Sequence, residues 1–137
     1  MSVMRDLYSN LDAAQSIAPA ARTVTVNGAE VDILNYDSAL AVLDLGAYTD
    51  GDWSFKLQHR ELTTDAWADV PAAMQVGEFE SVASAAGQNK TQRVGYIGDL
   101  CRLRLVGTEA GGSPAASTGL VFGGVILRGN PRMAPLA

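Results

Sequence analysis

Trp53-Ser-Phe-Lys-Leu-Gln-His-Arg60 alternates without a break, with Trp53, Phe55, Leu57 and His59 on one parity and Ser54, Lys56, Gln58 and Arg60 on the other. A strict period of two is the pattern of a strand with one buried face, because successive side chains leave opposite sides of an extended backbone. Asp50-Gly51 just before it reads as a turn. Working outward, residues 38–46 (SALAVLDLG) are apolar on both parities apart from Asp44, the pattern of a central strand covered on both sides. Residues 119–127 (GLVFGGVIL) have the same property, and Gly123-Gly124 within them marks a bulge or a close approach of backbones.

Further segments extend the same reading. Residues 22–26 and 29–33 flank Asn27-Gly28, a dipeptide suited to a type I′ turn, and so predict a hairpin with Val26 opposite Ala29 and Val24 opposite Val31. Residues 67–70 are a short strand; residues 91–97 and 101–108 are two more, joined by Gly98-Asp99, with Cys101, Leu103 and Leu105 on one face of the second. Residues 72–88 and 109–118 are rich in Ala, Gly and Ser and read as surface loops, the first with one short strand around residues 76–82.

Seven or eight short strands separated by turns, with no internal helix, predict an all-β protein, an antiparallel β-sandwich of jelly-roll-like type. The sandwich is expected over residues 22–127, with an N-terminal arm at 1–21 and a C-terminal arm at 128–137. Met4, Leu7, Leu11, Ala14 and Ala18 fall at helical spacing before Pro19, so the N-terminal arm is expected to hold at most one or two helical turns.

Composition narrows the function. The 137 residues suit a single domain, and the net charge of −5 argues against a nucleic-acid partner, whose phosphates are held by cationic side chains. One cysteine and one histidine leave no internal disulfide and no complete Cys/His zinc site. No run of ~18 apolar residues is present, and the first 21 residues carry Arg5, Asp6 and Asp12 where a signal peptide needs an apolar core. These readings point to a protein with no membrane partner, made inside a cell. Charge is uneven along the chain: residues 1–89 carry 4 positive and 13 negative side chains, and residues 90–137 carry 6 positive and 2 negative. Either the surface is polarised, or strands from the two parts interleave and the charges mix.

No catalytic constellation stands out. His59 is the one side chain suited to acid–base work near neutral pH, yet it lies in phase with Trp53, Phe55 and Leu57 and is expected to be packed. Cys101 lies in phase with Leu103 and Leu105 and is expected to be a small buried hydrophobe. Asp50-Gly51-Asp52 brings two carboxylates, fewer than a calcium loop supplies, and is read as a turn. The glycine pairs match no phosphate-binding fingerprint. The expectation is therefore a non-enzymatic protein with no metal and no cofactor.

Met4-Arg-Asp-Leu-Tyr-Ser-Asn10, Gln15-Ser-Ile-Ala-Pro19, Arg93-Val-Gly-Tyr-Ile-Gly98, Cys101-Arg-Leu-Arg-Leu105 and Arg128-Gly-Asn-Pro-Arg-Met-Ala-Pro135 resemble a family of small proteins encoded among the head genes of tailed phages and prophages. The resemblance spans nearly the whole chain. It implies a capsid decoration (cement) protein: a structural virion protein on the capsid surface, made in the bacterial host cytoplasm. Its implied partners are the major capsid protein and copies of itself, as a homotrimer. Contact candidates in the two arms are Arg5, Leu7, Tyr8, Leu11, Arg128, Pro131, Arg132 and Met133. Two alternatives stay open: a structural protein of the vertex or head–tail junction, and a carbohydrate-binding sandwich using Trp67, Tyr48 or Tyr96 as an aromatic platform.

Overall fold

The computed structural model describes residues 7–110 and 116–131. Ten strands run in the order β1 (Leu11–Arg22), β2 (Val26–Asn27), β3 (Val31–Asp32), β4 (Tyr36–Tyr48), β5 (Trp53–Arg60), β6 (Ala68–Asp69), β7 (Gln75–Val76), β8 (Thr91–Tyr96), β9 (Arg102–Glu109) and β10 (Leu120–Pro131). No α-helix occurs among the described residues. One sheet has the order β1-β10-β4-β8-β7; the other has β2-β9-β5-β6, with β3 also pairing β9. Every pairing is antiparallel. The protein is an all-β sandwich, as the alternation and turn spacing predict.

The core lies between the sheets. Ala39, Ala41, Leu43 and Leu45 of β4, Leu120, Phe122 and Ile126 of β10, and Val94 of β8 meet Trp53, Phe55 and Leu57 of β5 and Leu103 and Leu105 of β9, all buried. The alternation from Trp53 to Arg60 holds throughout, with all four odd-numbered residues buried, including His59. The paired glycines mark close approaches: a Cβ at Gly124 would lie 2.4 Å from Leu105 Cδ1 of the opposite sheet, and one at Gly123 2.9 Å from Pro19 Cα.

The N-terminal segment differs from expectation. Residues 11–22 are neither a free arm nor a helix but an edge strand of the first sheet, pairing Leu11 with Gly129 and Arg22 with Leu120. The helical spacing of apolar residues loses to the hydrogen-bond ladder that β10 offers. Pro19 is tolerated because an edge strand needs only one of its two rows of backbone groups paired. The sandwich likewise continues past residue 127, since β10 runs to Pro131 opposite Tyr36 of β4.

The predicted hairpin at Asn27-Gly28 also does not form. β2 and β3 follow one another along the same partner, with Val26 opposite Gly107 and Val31 opposite Leu103, while Val24 is 67% exposed. Asn27 and Gly28 are not among the described residues with positive φ, so the backbone there is not that of a type I′ turn. Gly28 serves close approach instead: a Cβ would lie 2.4 Å from Ser16 Oγ and 2.5 Å from the Leu105 carbonyl oxygen. Buried Ser16 fastens this corner, its hydroxyl donating to the Ala29 carbonyl (2.9 Å) and accepting from Leu105 N–H (3.0 Å).

The loop expected at residues 72–88 carries two short 3₁₀ turns, at Ala72–Met74 and Ala85–Gly87. The strand expected around residues 76–82 is reduced to β7 and a single bridge between Trp53 and Val82.

Candidate interaction surface

The first sheet has a second apolar face. On β10 and β4 the residues between the core positions are apolar too, and the register sets Val125 opposite Val42 and Leu127 opposite Leu40. These four are half-buried and Val121 is 38% exposed. The expectation that β4 and β10 are covered on both sides is thus met on one side only. Among the described residues nothing covers the outer face, which holds a shallow groove of about 330 Å³ between Pro19, Val42, Val121 and Val125. Its one carboxylate, Asp44, lies exposed at the rim.

The contact candidates taken from the two arms do not gather into one patch. Arg5, Arg132 and Met133 lie outside the described residues. Leu7 and Tyr8 are 61% and 81% exposed just before β1, and Leu11 is half-buried within it. Pro131 ends β10. Arg128, expected to be a free anchor, is committed inside the chain: it forms an ion pair with Asp12, donates to the Asp32 carbonyl (2.9 Å) and lies over the Tyr36 ring (4.8 Å). Asp12 and Arg128 are direct cross-strand neighbours in the β1–β10 register.

That pairing also bears on the question of charge. β10, from the net-positive part, sits between β1 and β4, and β9 sits between β5 and the β2/β3 edge. Arg102 of β9 accordingly meets Glu30 (3.2 Å) and Asp32 (3.7 Å) from the acidic part. Among the described residues, charges from the two parts thus meet at these pairs.

Asp50 latches the β4–β5 turn to the start of β10. Its carboxylate accepts from the Ser117 hydroxyl (2.8 Å) and from the backbone N–H groups of Ser117, Thr118 and Gly119, at 3.0, 3.2 and 2.6 Å. The Ser117 hydroxyl above all, opposed by burial and helped by the three N–H groups, holds the Asp50 carboxyl below its ordinary range. Cys101 is not a core residue: it is half-buried at a loop end, its thiol donating to the Glu61 carbonyl (3.2 Å). Among the described residues no cluster of three or more His, Cys, Asp or Glu side chains could hold a metal ion.

The aromatic residues of a sugar platform are engaged by their own chain. Tyr96 is buried. The Tyr48 hydroxyl lies 2.7 Å from the Gly51 carbonyl and 2.9 Å from that of Ala83. Trp67 carries the guanidinium carbons of Arg60 and Arg104 at 4.3 and 4.6 Å from its ring centroid. The role of Ser16, the Asp50 latch and the Trp67–Arg104 contact were not singled out in the sequence, because each depends on residues far apart along the chain.

His59 is packed as expected, and its pairing is specific. Leu100 N–H donates to the Tyr96 hydroxyl oxygen (3.1 Å), which lies 2.9 Å from His59 Nδ1. The two side chains share this hydrogen bond, its direction set by the tautomer of the ring. Burial pushes the His59 pKa below its ordinary 6.5, partly opposed by Asp99. The unfolded chain therefore binds this proton first, so stability from His59 is present above about pH 6.5 and is lost as pH falls toward the lowered folded value. Thermal unfolding between pH 7 and 5 should show a falling midpoint, and His59→Gln should flatten that slope; an equal slope in both proteins would refute the assignment.

No protein-family model matches the chain, and no curated protein matches it.

Proposed function

We propose that the chain is a structural virion protein that binds the outside of a phage capsid and stabilises it, with the major capsid protein and copies of itself, as a homotrimer, for partners. The observation that carries this reading is the open apolar outer face of β1, β10 and β4. A single small sandwich with a complete core has no internal use for Val42, Val121 and Val125 in solvent, and contiguous apolar surface of this kind marks a contact. The resemblance to the head-gene family supplies the class of partner. The role is contact and not catalysis: His59 and Asp50 are spent on the fold, and the surface offers apolar side chains in place of reactive groups.

The test is attachment to shells. Electron microscopy of particles with and without the protein should show added density on the capsid exterior at a fixed stoichiometry. Val125→Asp should reduce occupancy at least tenfold, since a carboxylate entering a desolvated contact is costly. Its thermal midpoint should change little, because Val125 already borders solvent. Undiminished occupancy of the variant, or identical particles with and without the protein, would overturn the reading. Arg128 is a poor choice for such a test, because its loss strands Asp12 within the sheet.

A further inference from the structure

The face of β5 and β9 turned away from the core carries three arginines that are not equivalent. Arg60 and Arg102 share Glu30, at 2.7 and 3.2 Å. Arg104 pairs with no carboxylate among the described residues. Its Nε and Nη2 both donate to Oε1 of Gln58, directly opposite on β5, at 2.9 and 2.6 Å. Gln58 in turn donates through Nε2 to Asp69 Oδ1 at 2.9 Å, which sets the amide so that its oxygen faces the guanidinium. Trp67 lies against Arg104 and Arg60 and limits where both groups can swing.

Arg104 is thus a cation fixed in direction by a neutral amide and an indole. One edge of its guanidinium is occupied; the end formed by Nη1 and Nη2 keeps N–H groups that no hydrogen bond within the described residues uses. That end is a planar fork whose spacing matches the two oxygens of a carboxylate. Burial, and then the neighbouring charge of Arg60, make the protonated form less comfortable than in water, a cost that an incoming anion offsets. A row of phosphates would meet Glu30, Asp32 and Asp69 around the fork, whereas a single carboxylate needs only the fork. Arginine and tryptophan, here with a half-buried indole, are also among the residues enriched where protein contacts are strongest.

We infer that Arg104, with Trp67 and Arg60 beside it, is a docking point for an aspartate or glutamate side chain on an acidic protein surface. The site lies on the opposite sheet from the apolar face and does not depend on the capsid reading. It can be followed through the two indole N–H resonances of the intact protein. The Trp53 indole is buried and donates to the Asp50 carbonyl (3.1 Å), so it serves as an internal reference.

Hexaglutamate added at low salt should shift the Trp67 signal saturably and leave Trp53 unmoved. Arg104→Gln should weaken that binding about tenfold or more, as expected for losing a charge-assisted pair. Arg104→Lys, which keeps the charge without the fork, should fall between the two and covers the case in which the glutamine variant folds poorly. Absence of a Trp67 shift at about 10 mM peptide, the weak end of specific binding, would overturn the proposal. So would equal binding by Arg104→Gln, or a hexathymidylate oligonucleotide that shifts the signal as strongly as the peptide.

Discussion

Phe122→Ala is expected to lower the free energy of unfolding by about 3–5 kcal/mol, the range for removing a fully buried phenyl ring from a packed core. Phe122 is 1% exposed on β10, where the sheets meet. Its ring makes edge contacts with Trp53 at 5.4 Å and Phe55 at 5.2 Å between centroids. The cavity left by truncation cannot close easily. Trp53 is held by its indole bond to Asp50 and by backbone bonds to Val82 on both its N–H and C=O, and Phe55 is fixed in the β5–β9 ladder. With total stabilities of small domains near 5–15 kcal/mol, such a loss is a large fraction of the whole. Chemical denaturation measures it; a loss under about 1 kcal/mol would mean that the sheets close over the gap. Phe122→Leu should cost much less, because most of the volume is kept.

The sheets were legible where one chemical pattern had one structural meaning. Trp53 to Arg60 could only be a half-buried strand, and Leu103 and Leu105 on one parity marked β9 as another, although their pairing is a fact of the structure alone. Two-sided apolar runs were ambiguous: residues 38–46 and 119–127 announced central strands, but sequence does not distinguish an outer face covered by the chain itself from one left for a partner. β1 was misread because Leu11, Ala14 and Ala18 suit helical spacing as well as an edge strand, and only the presence of β10 alongside decides between them. Asn27-Gly28 was misread because glycine answers two different needs. At position 28 the need is room for Ser16, 12 residues earlier, and no local signal reports it.

The sites were less legible than the fold, for the same reason. Arg128 looked like a free cation because Asp12 is 116 positions away, and strand register alone brings them together. Trp67 and Arg104 are joined by a sheet face rather than by a motif. Chemistry assembled by cross-strand neighbours leaves no spacing signature, and the charge asymmetry of the sequence misleads precisely where strands from its two parts alternate.

Gly119→Ala is expected to cost roughly 3 kcal/mol or more, beyond the ~1–3 kcal/mol of strain that a non-glycine residue pays in a sparsely populated backbone region. Gly119 has φ +84°, and an added Cβ would stand 1.7 Å from the Arg22 carbonyl oxygen and 2.7 Å from its carbon. Those neighbours are backbone, so no side-chain rotation relieves the overlap; the end of β1 must separate from the start of β10. Gly119 also donates to Asp50 Oδ1 and accepts from Thr49 N–H (2.9 Å), so the same displacement pulls on the turn before β5. Gly77 provides the matched comparison. Its φ is +83°, but the nearest atom to an added Cβ is the Arg93 carbonyl oxygen at 3.7 Å, an ordinary contact. Gly77→Ala should therefore register backbone strain alone, on the order of 1 kcal/mol. If denaturation midpoints show the two variants equally destabilised, the close approach of β1 to β10 at Gly119 carries no energetic weight; a gap of about 2 kcal/mol or more would assign that weight to the overlap with Arg22.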